Sequence, residues 1–142
     1  PSGHNVAHSP KIWREMFAKF GPTVGLNLDP SHLIWQMIDI ERVIREFGSH
    51  IYHTHVKDLE IDRDGLYENG IMSAGIGWQR PRLPGYGEVN WAKFVSTLSQ
   101  VGYDYVLCIE HEDRKFEGND ELVKQGFLIA RNQISNLLPM SI

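Results

Sequence analysis

Residues 50–58, HIYHTHVKD, decide how this chain is read. The run from 51 to 56 alternates in the way a strand does, with β-branched and aromatic side chains between imidazoles. His53 and His55 share one face of it, while Tyr52, Thr54 and Val56 share the other. It ends in two ionisable residues, Lys57 and Asp58. Two further short apolar runs have the same form. Residues 24–28 (VGLNL) run into Asp29-Pro30-Ser31-His32, and residues 105–110 (YVLCIE) run into His111-Glu112-Asp113.

Helical patterns separate these strands. Over Pro10–Phe20, Ser9 suits the cap, Pro10 suits the first helical position, and Ile12, Met16, Phe17 and Phe20 form an apolar stripe that Gly21-Pro22 stops. A second helical pattern runs from Leu33 to about Phe47, with Gly48 as its C-cap. Asn90 caps a third from Trp91 to about Val101, whose Phe94, Val95 and Leu98 line one face, and a fourth covers residues 120–137. Residues 57–88 carry six glycines and little periodicity. They are expected to form one long active-site loop, since connections of ordinary function run to about 4–6 residues. The order αβαβαβα predicts an α/β fold with a parallel sheet and crossover helices.

In such folds the active site lies beyond the carboxyl ends of the strands. Three strands ending in Asp29/His32, His55/Asp58 and Glu110/Glu112 therefore bring Asp, His and Glu side chains toward one point. These are the usual ligands of Mn²⁺, Mg²⁺, Zn²⁺ and Co²⁺, and one from each strand leaves open positions for a substrate. Asp29, His55 and Glu110 are the candidate ligands; for Asp29 the competing role is a helix cap, and for His32 a place in solvent. His53 reads as a buried structural histidine, Glu112 and Asp113 as solvated carboxylates. Cys108, inside an apolar run with no activating partner, reads as an inert core thiol. The pairs Gly75/Gly77 and Gly85/Gly87 lack the strand–turn–helix setting of a dinucleotide site and read as loop turns. Arg80 and Arg82 flank Pro81, either solvated or placed to hold an anionic or hydroxylated substrate.

Composition narrows the classes. The 142 residues are 42% hydrophobic with a formal net charge of −4, within the range of one globular domain. No apolar stretch approaches the roughly 20 residues that span a bilayer. No Lys/Arg run offers a nucleic-acid backbone a docking strip. One cysteine permits no internal disulfide, and the opening PSGHNVAHSP has neither the charged nor the apolar region of a signal peptide; a reducing, cytoplasmic setting is expected.

Four strings then resemble one family: GLNLDPSHLIWQ (25–36), YHTHVKD (52–58), RLPGYGEVNW (82–91) and IEHED (109–113). In order and spacing they resemble the C-terminal portion of the sugar phosphate isomerase/epimerase superfamily, the xylose isomerase-like TIM barrels, whose fold endonuclease IV-type enzymes share. The resemblance implies a divalent cation (Mn, Mg, Zn or Co) held by Asp29, His55 and Glu110, with a fourth ligand, a glutamate, expected upstream of residue 1. It implies that Glu110 and His32 take part in catalysis, that His32, Lys57 and Arg82 meet a sugar substrate, and that a proton moves through an enediolate. The family arginine after the metal histidine has no clear counterpart, Arg63 being only loosely placed. The nuclease branch needs an Asp-x-His pair in the long loop, which holds Asp62 and Asp64 but no histidine; a phosphodiesterase is disfavoured. The remaining alternative is a non-catalytic fragment or a scaffold that binds metal or polyol without turnover.

A (β/α)₈ barrel needs eight strands and typically about 250 residues. Three strands, ordered like the sixth to eighth, leave it open. The expected partners are therefore a small sugar and, through the unpaired edge, either a second copy or the N-terminal part of the barrel.

Overall fold

The computed structural model describes residues 6–73 and 77–138; Gly75 and the first five residues of the PSGHNVAHSP stretch lie outside them. Strands β1 (Leu26–Leu28), β2 (Ile51–Val56) and β5 (Leu107–Ile109) form a parallel sheet in the order β1-β2-β5. Its register pairs Asn27 with His53, Leu28 with Thr54, His55 with Cys108 and Val56 with Ile109. Paired residues of a sheet point to the same side, so the two faces differ sharply in chemistry. Leu28, Thr54 and Val56 are buried on one, with Leu107 and Ile109 against the same core. Asn27, His53, His55 and Cys108 stand on the other. This is an α/β fold on a partial, unclosed barrel sheet.

Helices cover the apolar face. Helix α1 (Pro10–Phe20) forms where its stripe requires, and buries Trp13 and Phe17. Both meet Phe47 edge-on, with ring centroids 5.6 and 5.8 Å apart. Such aromatic pairs contribute about 0.5–1.5 kcal/mol each beyond the area they bury. Helix α3 (Ile40–Phe47) packs against α5 (Trp91–Gln100) and adds Val43, Ile44, Phe94 and Leu98 to the core. Asn90 caps α5 as expected, its side chain accepting from Lys93 N at 3.1 Å. Helix α6 (Asp120–Ser135) closes the order, capped by Asn119, and Gly126 lets His111 approach: a Cβ there would lie 2.3 Å from its Nε2.

Several expectations need correction. The helix expected from Leu33 to Phe47 is two, α2 (Ser31–Ile34) and α3. Ile38 N bonds to Leu33 O and Met37 N to Ile34 O, a Schellman closure with Met37 left-handed at φ 57°. Asp39 then restarts the chain by accepting from Arg42 N. Gly48 does follow α3 as its C-cap, in the right-handed region at φ −49°, and a Cβ there would lie 2.8 Å from that of Val101. The strand expected at 24–28 is shorter, since Gly21–Thr23 forms a 3₁₀ turn before it.

The expected loop of 57–88 is largely structured. It holds the antiparallel pair β3 (Asp58–Ile61) and β4 (Gln79–Arg82), with α4 (Arg63–Asn69) between them. Cross-strand charges set the pairing: Arg82 Nε lies 3.1 Å from Glu60, and Arg80 pairs with Asp62 and Glu60. Among the described residues, no helix is long and apolar enough to cross a membrane.

Candidate metal centre

The three parallel strands end side by side, and their carboxyl ends deliver the polar residues. Asp29 follows β1 and is buried; its Oδ1 accepts from Ser31 N at 2.9 Å. That hydrogen bond closes a turn ahead of α2, whose cap position is Pro30, so Asp29 is not the helix cap. Oδ2, equally buried, accepts no hydrogen bond. His55 stands on β2 with Nδ1 3.1 Å from Glu110 Oε2 and 3.8 Å from Asp29 Oδ2. Glu110 follows β5 directly, held by its own N–H on Val56 O. One ligand atom each from Asp29, His55 and Glu110 lies within 4.8 Å of the others.

A buried carboxylate oxygen without a hydrogen bond is costly, and a mixed oxygen–nitrogen set is what borderline divalent cations prefer. The residues present fit such a cation. Lys57 is the counter-charge already in place: its side chain is 4% exposed, with Nζ 3.2 Å from Asp29 Oδ2, 2.5 Å from Glu110 Oε2 and 2.9 Å from Glu112 Oε2. Burial works against its charge, but the three carboxylates outweigh that and hold its pKa above the ordinary lysine value. His32 flanks Asp29, Nε2 lying 3.5 Å from Oδ2. Burial, helped by the Lys57 charge, pushes its pKa down to about 4.

These residues open on a cavity of about 400 Å³. Asp29, His32, His55 and Glu110 supply its polar wall, and Trp13 and Leu33 part of its apolar one. Such a volume lies in the range of small-molecule pockets, with few polar groups converging on one wall.

The structure also sorts the other candidates. Arg82 does not join the cluster: it is buried, with Nη1 2.7 Å from Asp113 Oδ1 and Nε beside Glu60. Asp113, expected in solvent, is fully buried and also accepts from Leu83 N and Lys115 N. Asp58, expected among the converging groups, is fully buried elsewhere, accepting from Leu59 N, Gly85 N, Val89 N and Trp91 Nε1. Glu112 is half-exposed yet reaches Lys57. Arg63 lies at the surface against Glu88. Cys108 is exposed rather than in the core, because its pairing with His55 turns it to the polar face. His53, expected to be buried, is only half-buried on that same face.

Asn27 is the residue the sequence reading passed over. Its Nδ2 lies 3.2 Å from His55 Nε2 and fixes the ring. Turning the amide so that its oxygen accepts from Nε2–H frees the Nδ1 lone pair toward the carboxylates, the tautomer a cation needs. Strand alternation placed Asn27 on the site face; its polar side chain within VGLNL was the available signal.

Comparison with known proteins bears on the family and the fold. The family model described as xylose isomerase-like TIM barrel matches residues 1–133. The "Uncharacterized protein YfiH" of Bacillus subtilis (strain 168) is 34% identical over 116 residues, covering 76% of this chain and 37% of that protein. The chain thus spans little more than a third of this relative. Among solved structures, the xylose isomerase domain protein from Planctomyces limnophilus superposes with a TM-score of 0.63 at 22% identity, covering 90% of this chain and 43% of that one. A xylose isomerase-like TIM barrel/4-hydroxyphenylpyruvate dioxygenase fusion protein gives 0.57 at 20% identity, over 93% of this chain and 22% of that one. At these identities the structural likeness concerns the fold.

Proposed function

This chain belongs to the xylose isomerase-like TIM-barrel family, and on that premise we propose that it forms part of a metal-dependent isomerase or epimerase of a sugar or sugar phosphate. The observation that carries the reading is the meeting of Asp29, His55 and Glu110 at three strand ends, around a buried Asp29 oxygen with no hydrogen bond. In this reading those three residues hold the cation. A bound divalent cation supplies the positive charge that neutralises the oxyanion developing on a sugar carbonyl.

The chain's own residues do the rest. Glu110 lines the cavity and is partly exposed there, so its carboxylate would help hold the cation and would take the proton from the carbon beside the carbonyl and return it to the enediolate. Asn27 keeps His55 oriented. His32, at the cavity wall, meets a sugar hydroxyl, and Lys57 balances the carboxylates. Trp13 and Leu33 give the sugar an apolar wall that excludes water. Arg82, engaged with Asp113 and Glu60, is left out of substrate binding.

The test is hydrogen exchange at carbon. In D₂O with Mn²⁺, the full-length protein that contains this chain should introduce deuterium beside the carbonyl of one aldose, ketose or sugar phosphate, and Glu110→Gln should abolish this. Absence of exchange across a broad panel of sugars and sugar phosphates would defeat the reading.

A further inference from the structure

The polar face of the sheet carries a second donor set that the sugar chemistry does not use. His53 and His55 lie two residues apart on β2 and project to the same side. Cys108 is the direct register partner of His55 on β5 and so projects there too. Their rings and thiol are not merely neighbours in sequence pattern. One ligand atom from each of His53, His55 and Cys108 lies within 4.8 Å of the others, and the two imidazoles meet edge to face at 5.6 Å. Cys108 is exposed and both histidines are half-buried, so an ion reaches them from solvent.

We propose that His53, His55 and Cys108 form a second cation site, selective for thiophilic ions such as Zn²⁺, Cd²⁺ and Co²⁺, distinct in chemistry from the Asp29/Glu110 set. Two imidazole nitrogens and one thiolate are the soft donors that zinc and its congeners favour, whereas Mn²⁺ and Mg²⁺ favour carboxylate oxygens. Ligand atoms around tetrahedral zinc sit roughly 3.3–3.8 Å apart, given bond lengths of about 2.0–2.3 Å. Small χ rotations of an exposed cysteine and two half-buried histidines cover the difference. Binding deprotonates the thiol and releases that proton to solvent. Three protein ligands leave a fourth position for water.

The two sets share His55. A thiophilic ion held by Cys108 therefore draws on the same imidazole that faces Glu110, and it interferes with a cation at the carboxylates. The site does not depend on the sugar reading, since neither Asp29 nor Glu110 belongs to it.

The experiment is a Co²⁺ titration of the protein, read by the thiolate-to-cobalt charge-transfer absorption in the near ultraviolet. Wild type should show this band at one equivalent, and Asp29→Asn should retain it. Cys108→Ser should lose it while keeping its circular dichroism, as expected for an exposed position. Loss of even an outer partner of a metal ligand costs about 10–100-fold in affinity. His53→Ala is accordingly expected to weaken Co²⁺ at Cys108 by at least about tenfold. Wild type without the band, or His53→Ala binding as tightly as wild type, overturns the site. A band lost in Asp29→Asn also overturns it, because Cys108 would then be serving the carboxylate set. Failure of sugar exchange, in contrast, leaves all of these outcomes readable.

Discussion

Lys57 Nζ lies 2.5 Å from Glu110 Oε2, and the same ammonium reaches Asp29 Oδ2 at 3.2 Å. One residue thus satisfies, by charge, two carboxylates from strands on either side of its own. The pair is charge-compensated but not hydrogen-bond-compensated at Asp29, where Oδ2 accepts nothing. A divalent cation brought to Asp29, His55 and Glu110 competes with the lysine for the same oxygens.

Lys57→Met separates these two roles. Removing one partner from a buried ion pair costs about 3–5 kcal/mol; the exposure of Glu110 and Glu112 lowers that to about 1–3 here. Urea denaturation should show this loss without cation, and saturating Mn²⁺ should restore most of it. Equal destabilisation with and without Mn²⁺ would show that cation and lysine do not contend for one place.

Arg82 and Asp113 make a contrasting pair, since both are buried and neither touches the carboxylate cluster. Arg82→Met leaves Asp113 uncompensated and should cost about 3–5 kcal/mol in chemical denaturation. Mn²⁺ affinity should change by less than about twofold. A large drop in affinity with stability intact would return Arg82 to the site.

Met37 is strained rather than stabilising. It holds a left-handed φ of 57° at the end of α2 while 79% exposed, so it buries little in return. Glycine adopts that conformation without the Cβ clash, which costs other residues roughly 1–2 kcal/mol. After the added entropy of the unfolded chain, Met37→Gly should still gain about 0.5–1 kcal/mol in thermal or urea unfolding. A loss would mean that the Schellman closure needs the methionine.

Asp58 organises the segment between β2 and α5. Four donors converge on its buried carboxylate, so Asp58→Ala orphans all of them. Each buried group left unpaired costs about 1–3 kcal/mol, and the variant should fail to fold or lose at least about 3 kcal/mol. Near-native stability would show that the β3–β4 pair is held by other contacts.

The strands, the helices opened by Pro10 and Asn90, and the meeting of three polar residues at the strand ends were legible from local pattern. Apolar runs, Pro10 and Asn90 act within a few residues of the structure they specify. Asp29, His55 and Glu110 followed from one rule, that a parallel sheet exposes its carboxyl ends together. What escaped the sequence was long-range. Asp58 and Asp113 look like solvated charges until Gly85, Val89, Trp91, Arg82 and Leu83 are brought to them from 27 or more residues away. Cys108 looked like core because both its neighbours are apolar, but alternation turns it outward between them. The glycine content of 57–88 hid β3 and β4, whose pairing depends on charges opposite one another rather than on apolar periodicity.

In the proposed reading, Asp29, His55 and Glu110 together hold one divalent cation. Calorimetric titration of the protein with Mn²⁺, which disfavours thiolate, tests it most directly. One Mn²⁺ per chain should bind, and Asp29→Asn and Glu110→Gln should each weaken it by at least about tenfold while leaving the fold intact. Absence of Mn²⁺ binding to the folded protein, or binding that both variants leave unchanged, would contradict the account.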